Sequence, residues 1–331
     1  MSDLRIAVLG VGVMGADHVT RISERISGAR VSVINDHLTD KAEKVAASVP
    51  GARVATDPLD AIAAADVDAV LLATPGPTHE KQLLACLEQG KPVLCEKPLT
   101  TDASTSLEVV RYEAELGTQL IQVGFMRRFD PEYQRLKGII DAAQLGRPLL
   151  MHCAHRNPAV PPSFDSAMIV KDSLVHEVDV TRFLFEEEIA SVQILRPTPN
   201  PGARDGLQDP QIAIFRTTSG RHVDVELFVT TGVGYEVRTE VVGEHGSATI
   251  GAGRITSGFR EHFGTAYDVE LQRWVDAVHR GRTTGNYIDG PTAWDGYAAA
   301  AVCAAGVQSL ESGEPVAVDL AENGVTRKGN S

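Results

Sequence analysis

The strongest constraint on this fold is local. The run Arg5–Leu9 (RIAVL) ends directly on Gly10-Val11-Gly12-Val13-Met14-Gly15, a G-x-G-x-x-G, and a helical stretch begins at once. A continuous apolar run that stops at glycine is the pattern of a strand buried on both faces. In that context Gly10 makes the tight turn, Gly12 lets a pyrophosphate approach the backbone, and Gly15 lets helix and strand pack closely. The N–H groups of Gly12, Val13, Met14 and Gly15 then sit at a helix N-terminus, whose dipole favours phosphate. An ordinary strand–helix turn is the competing reading of the three glycines. About twenty residues further on, a second strand ends in Asn35-Asp36-His37, and an acidic residue there accepts from both adenosine ribose hydroxyls. Asp36 would repel a 2′-phosphate, so the expected cofactor is NAD rather than NADP; a plain turn cap is the alternative role for Asp36.

The first half of the chain continues the same rhythm. Apolar runs at Val31–Ile34, Ala69–Ala73, Pro92–Cys95 and Gln119–Val123 alternate with amphipathic stretches at Asp40–Val49, His79–Gln89 and Ser104–Leu116. Such alternation indicates βαβ units and a doubly wound parallel sheet. After Gly124 the texture changes. A helical stretch, Pro131–Ala143, leads into strands at Leu149–His155, Ala190–Leu195, Gln211–Thr217, His222–Val229, Tyr235–Gly243 and Ser247–Ile250. Short turns such as Thr218-Ser219-Gly220 join several of them, which predicts a mostly antiparallel sheet in an α+β domain. The expected division is residues 1–123 for the dinucleotide domain and 124–331 for a substrate domain, with helices at Thr265–Arg280 and Thr292–Ser312 packing on one of the two. Pro197–Gly206 reads as an exposed loop and the last dozen residues as a polar tail.

Composition narrows the function. Across 331 residues, 31 Lys+Arg stand against 44 Asp+Glu, a formal charge of −13 that argues against nucleic-acid binding. No run approaches the ~18 apolar residues of a membrane span. Met1-Ser2-Asp3-Leu4-Arg5 lacks the features of a signal peptide. Cys86, Cys95, Cys153 and Cys303 are scattered without metal-like spacing, so free thiols in a reducing cytoplasm are expected.

Two segments carry candidate chemistry. Cys95-Glu96-Lys97-Pro98 closes a strand, and ligands of open parallel sheets gather at strand carboxyl ends. Proline holds Lys97 out of the α region and fixes its direction. The second segment is Lys171-Asp172-Ser173-Leu174-Val175-His176. If it is helical, Asp172 and His176 lie at i and i+4 on one face, where a carboxylate orients an imidazole to act as a general base. A surface i,i+4 pair is the plainer alternative, and a metal set drawn from His152, His155 and His176 is a further one.

In order and spacing, Gly10–Gly15, Glu96-Lys97-Pro98 and Asp172-x-x-x-His176 resemble the glucose–fructose oxidoreductase / inositol dehydrogenase / rhizopine-catabolism family. The similarity runs over nearly the whole length. It is most specific at Val123–Asp130, His152–Pro158, Leu174–Asp179 and Gly290–Tyr297, and it points to the subgroup that acts on inositols. The resemblance implies an N-terminal Rossmann domain and a C-terminal open sheet through which homodimers or homotetramers form. It implies Lys97, Asp172 and His176 as the catalytic residues, and Thr74, Glu96 and Lys97 beside the cofactor. Arg127, His155, Asn157, Asp172, His176 and Tyr235 would bind the polyol. The implied reaction is NAD-dependent oxidation of a ring hydroxyl to a ketone, with myo-inositol as leading substrate. Other inositols or a pyranose are runners-up, as is an NAD-dependent glycosidase. The chain departs from the subgroup at Thr74–His79 and Pro161–Asp165.

Overall fold

The structure, a computed structural model of the chain, describes residues 2–321. The outer part of the expected polar tail lies outside the described residues. Internal packing gathers the chain into two compact units. One holds the residues up to Gly124 together with Glu270–Tyr297 and the chain from Asp319; the other holds Phe125–Val269 and Ala298–Val318.

The first unit is built on six strands: β1 (Leu4–Leu9), β2 (Ala29–Asn35), β3 (Arg53–Val54), β4 (Ala69–Leu72), β5 (Val93–Glu96) and β6 (Ile121–Gly124). Their spatial order is β3-β2-β1-β4-β5-β6, and every pair is parallel. Strand order therefore reverses between β1 and β4, the place where doubly wound sheets bind ligands. The apolar runs form these strands because both faces are covered: β4 is buried at all four positions. The two-residue β3 is too short to leave a signal in the sequence.

The packing gathers Glu270–Tyr297 into this unit; the sequence division counts those residues in 124–331 and leaves open that the late helices pack back on the first domain. The reason is a shared core. Leu271, Trp274, Val275 and Val278, on the helix Gly264–Thr284, join Leu4, Ile6 and Ile22 in one buried cluster. Each such side chain contributes roughly 1.5–3 kcal/mol on burial. An amphipathic helix announces that it has an apolar stripe, not which core will receive it.

The second unit carries an eight-stranded sheet of β7 (Pro148–Arg156), β8 (Ile189–Leu195), β9 (Gln211–Thr217), β10 (His222–Phe228), β11 (Tyr235–Gly243), β12 (Gly246–Ile250), β13 (Ile255–Thr256) and β14 (Val316–Ala317). The order is β12-β11-β7-β10-β9-β8-β14, with β13 on β11. All pairs are antiparallel except β7 with β10. That exception arises because β7, first in sequence, lies between β10 and β11 in the middle of the sheet. Side chains alternate across a strand, so Met151, Cys153 and His155 are buried on one face while His152 and Arg156 reach the other. Tyr133, on the helix Pro131–Asp141, ties the buried face to that helix through its hydroxyl, 2.9 Å from Thr239 Oγ1. Among the described residues no helix is long and apolar enough to cross a membrane.

Candidate active site

In the first unit the strand register lines up the carboxyl ends. Leu9 pairs with Asn35 and Leu72, Leu72 with Cys95, and Glu96 with Gly124. Gly10, Asp36, Thr74 and Lys97 consequently follow their strands along one edge of one sheet.

The glycine positions are fixed by close approach. Gly10 has φ +82°, and a Cβ on it would sit 2.5 Å from the Ala73 carbonyl oxygen. A Cβ on Gly15 would meet the Gly10 carbonyl oxygen at 1.8 Å, so only glycine permits the turn to fold back on the helix. Gly12, the N-cap of helix Val13–Glu24, has nothing within 4 Å of where a Cβ would sit, and no side chain caps this helix. Its first N–H groups thus have no side-chain acceptor, as a diphosphate site requires. Asp36 is buried, and its two oxygens accept from Val11 N at 2.9 Å and Leu38 N at 3.0 Å. Burial opposes its charge, but those N–H groups, with Lys41 and His37, hold the carboxyl below its usual range. Each carboxylate oxygen has a second lone pair for a ribose hydroxyl. These residues fit NAD: the open helix start takes the phosphates and Asp36 takes the adenosine ribose.

Further along the same edge, Thr74 Oγ1 donates to Gln82 Oε1 at 2.7 Å. The buried His79 ring bridges two segments, with its nitrogens each 2.8 Å from the carbonyl oxygens of Thr74 and Pro98. Glu96 Oε1 lies 2.7 Å from Nε2 of the buried His18. Lys97 is half-buried and joined to Pro98 by a cis peptide bond. Sequence reasoning missed His18 and His79, because isolated histidines in amphipathic helices carry no spacing signal.

In the second unit, the Asp172–His176 segment is not one regular helix. Asp165 caps a short helix, Ser166–Met168, by accepting from Met168 N at 2.8 Å. A π-helical turn, Ile169–Leu174, follows, and only then the α-helix Val175–Phe185. Asp172 sits in the π turn and His176 in the α-helix; four residues make about one turn in either geometry, so the two stay near one face of the segment. A π turn closes its hydrogen bonds at i+5 and is often found at functional sites. The Val170 carbonyl, inside that turn, accepts from the Cys303 thiol at 3.4 Å. Asp172 is exposed; His176 is 8% exposed.

His176 is flanked by Phe125, ring centroid 6.4 Å away and edge-on, and by His155 at 6.2 Å. Behind His155 lies a fully buried charged cluster. Arg127 and Glu177 are each 1% exposed and form an ion pair, and His155 Nδ1 is 3.2 Å from both Glu177 Oε2 and Arg127 Nη2. Burial works against the charge on Glu177, yet Arg127 and His155 outweigh it and hold the carboxyl down to about 2. Tyr235 stacks edge-on to His155 at 5.7 Å, and burial pushes its hydroxyl up to about 12 against the pull of Arg127. Burial, with Arg254 and Arg127 nearby, pushes His262 down to about 4. Asn157 Oδ1 is buried without a partner, an acceptor that a ligand hydroxyl would satisfy.

Arg127, His155, Tyr235 and His176 are thus brought together, with Asn157 at the end of the same strand, β7. His152 lies on the opposite face of β7, paired with Asp224 at 2.6 Å, which removes it from any metal set with His155 and His176. Glu177 went unnoticed in the sequence because a carboxylate beside a candidate base reads as solvated helix surface.

The parallel sheet, the glycine turn and the buried acid–base cluster define an NAD-dependent oxidoreductase with a Rossmann domain. Residues 4–125 match the family model described as "Oxidoreductase family, NAD-binding Rossmann fold". Residues 133–249 match the GFO/IDH/MocA C-terminal domain. The chain belongs to the GFO/IDH/MocA family. Inositol 2-dehydrogenase of Rhodococcus jostii (strain RHA1) is 70% identical over 344 residues, covering 97% of this chain and 94% of the relative. Inositol 2-dehydrogenase of Mycolicibacterium gilvum (strain PYR-GCK) is 71% identical, covering 97% and 95%. Among solved structures, myo-inositol dehydrogenase from Lactobacillus casei in complex with NAD(H) and myo-inositol superposes with a TM-score of 0.92. It shares 32% identity, covering 97% of this chain and 98% of that one.

Proposed function

We propose that this protein oxidises one ring hydroxyl of myo-inositol to give 2-keto-myo-inositol (scyllo-inosose), a step of inositol catabolism. The observation that carries the reading is the surroundings of His176: an imidazole beside His155, backed by the buried Arg127–Glu177 pair, Tyr235 and the unpartnered Asn157 Oδ1. A ligand rich in hydroxyls supplies both donors and acceptors to such groups. The relatives named inositol 2-dehydrogenase support the choice of substrate.

In this reading the catalytic residues are Lys97, Asp172 and His176. His176 takes the hydroxyl proton, and Asp172 stabilises the imidazolium so formed. The Lys97 ammonium, half-buried where its field is less screened, stabilises negative charge developing on the reacting oxygen. NAD, when bound, supplies the acceptor for the hydride. Gly12, Val13, Met14, Gly15 and Asp36 hold that cofactor, with Thr74 and Glu96 beside its nicotinamide end. Arg127, His155, Asn157 and Tyr235 bind or frame the polyol.

We also propose that copies of the chain assemble as a homodimer or homotetramer through the open face of the eight-stranded sheet. That face carries a cavity of about 380 Å³ lined by Arg156, Glu226, Phe228, Val233 and Ile255, with Val233 and Ile255 exposed. The four free, buried cysteines support a reducing, cytoplasmic location.

The deciding experiment follows NADH formation by the purified protein against myo-, scyllo- and D-chiro-inositol and a set of aldoses, then repeats it with NADP. Steady NADH accumulation with myo-inositol is expected. Turnover of an aldose alone, or cofactor that cycles without net reduction, would overturn the reading.

A further inference from the structure

Glu177 lies one residue from the proposed base, yet at 1% exposure it cannot be reached by a substrate. Its oxygens meet two groups of opposite hydrogen-bonding character. Arg127 is a pure donor; His155 Nδ1 either donates or accepts, according to its tautomer. An ionised carboxylate only accepts, so a lone pair on Nδ1 would face the carboxylate oxygen at 3.2 Å with no proton between them. A proton on Nδ1 replaces that repulsion with a charge-assisted bond. Arg127 Nη2, also 3.2 Å from Nδ1, is the competing donor there, and its guanidinium has Glu177 and the Tyr235 hydroxyl as other acceptors. The other titratable and charged groups facing the cluster are Tyr133, Cys153, Tyr235, His262 and Arg254, with His176 and Asp172 toward the substrate side. Burial pushes Tyr133 and Cys153 toward their neutral forms, and it does the same to His262. Among all these groups, Glu177 is the carboxylate in hydrogen-bond contact with Nδ1.

From this geometry we propose that Glu177, itself held by Arg127, is a positioning residue: it keeps His155 in the tautomer protonated on Nδ1, leaving Nε2 as an acceptor for a substrate hydroxyl next to the one that reacts. Among the described residues nothing hydrogen-bonds His155 Nε2, and its ring lies 6.2 Å from His176. A donor hydroxyl on the carbon adjacent to the reacting one is the ligand feature this arrangement selects. Tautomer control by a buried carboxylate is a general device for orienting histidines. The substrate half of the proposal rests on the polyol reading above; the tautomer half does not.

The test is a long-range ¹H–¹⁵N spectrum of the full chain with ¹⁵N-labelled histidine. The His155 signals are identified by their loss in His155→Gln, and the comparison is with Glu177→Gln. The Nδ1–H pattern is expected in the parent. Its replacement by the Nε2–H or an exchanging pattern is expected in the variant. Alongside this, kcat/KM for myo-inositol should fall roughly 10–100-fold, mostly through KM, with NAD affinity unchanged. Glu177→Asp, which keeps the charge but withdraws the carboxylate by one methylene, should show the same direction with a smaller loss. It also serves if Glu177→Gln fails to fold. An Nε2–H pattern in the parent, or an unchanged tautomer in both variants, overturns the proposal. If the parent oxidises no cyclic polyol, the substrate reading falls while the spectra still decide the role of Glu177.

Discussion

Arg127 and Glu177 form an ion pair in which each partner is 1% exposed, fifty positions apart in the chain. Two charges withdrawn from water are tolerable only as a pair, and removing one strands the other. Arg127→Leu should thus destabilise the protein by about 3–5 kcal/mol, and the double variant Arg127→Leu/Glu177→Leu should recover much of that loss. Thermal and urea unfolding of the single and double variants check this; a single-variant loss below about 1 kcal/mol would mean that the pair behaves as if solvated. Glu177 has its pKa lowered from 4.5 to about 2. Its stabilisation is complete above pH 4.5 and is lost as the pH falls toward 2.

Replacing His176 by alanine removes the proposed proton acceptor. Positioned general bases contribute ~10²–10⁴-fold, so kcat should fall at least a hundredfold while the NAD dissociation constant holds. Steady-state kinetics paired with a cofactor titration separates the two. Near-normal turnover would sink the assignment.

Asp36→Ser leaves Lys41 and His37 beside the site, 3.8 and 3.1 Å from the present carboxylate oxygens. Loss of the ribose acceptor should weaken NAD roughly 10–100-fold, and loss of the repelling charge should spare NADP. Titrations with both nucleotides decide it. Equal weakening would remove Asp36 from the ribose contact.

Glu113 offers a pH test in the first unit, away from any proposed chemistry. Burial raises its pKa from 4.5 to about 7 despite N–H bonds from Ile121 and Leu120, at 2.7 and 2.8 Å to the same oxygen. Between those pH values the folded chain binds more protons than the unfolded one, so stability declines as pH rises through 4.5–7. Glu113→Gln keeps the accepting oxygen without the charge. It should leave stability at pH 4.5 nearly unchanged and raise it above pH 7 by on the order of 2–3 kcal/mol. Melting curves across that range would show the gap opening; a constant offset would refute the titration.

Much of the first unit was legible without coordinates. Parallel strands are apolar on both faces, so β1, β2, β4, β5 and β6 mark themselves, and Gly10–Gly15 with Asp36 follow by spacing. Lys97 was legible as a lysine closing a strand, His176 as one half of a motif. The π turn at Ile169–Leu174 was not, since its apolar and polar positions pass for an α-helix. Nor was the parallel pairing of β7 with β10, which depends on which strand fills the middle of the sheet.

Local sequence by itself determined the kinds of element and the nucleotide-binding turn, because those depend on backbone freedom and on burial periodicity within a few residues. Tertiary structure decided what long-range partners decide. Trp274 and its helix fill the core of the first unit. Glu177 belongs to a buried pair rather than to a helix surface. His155 faces His176 whereas His152, three residues earlier on the same strand, faces the other side of the sheet. A carboxylate's meaning rests on the charge it is buried against, and in this chain that charge lies fifty residues away.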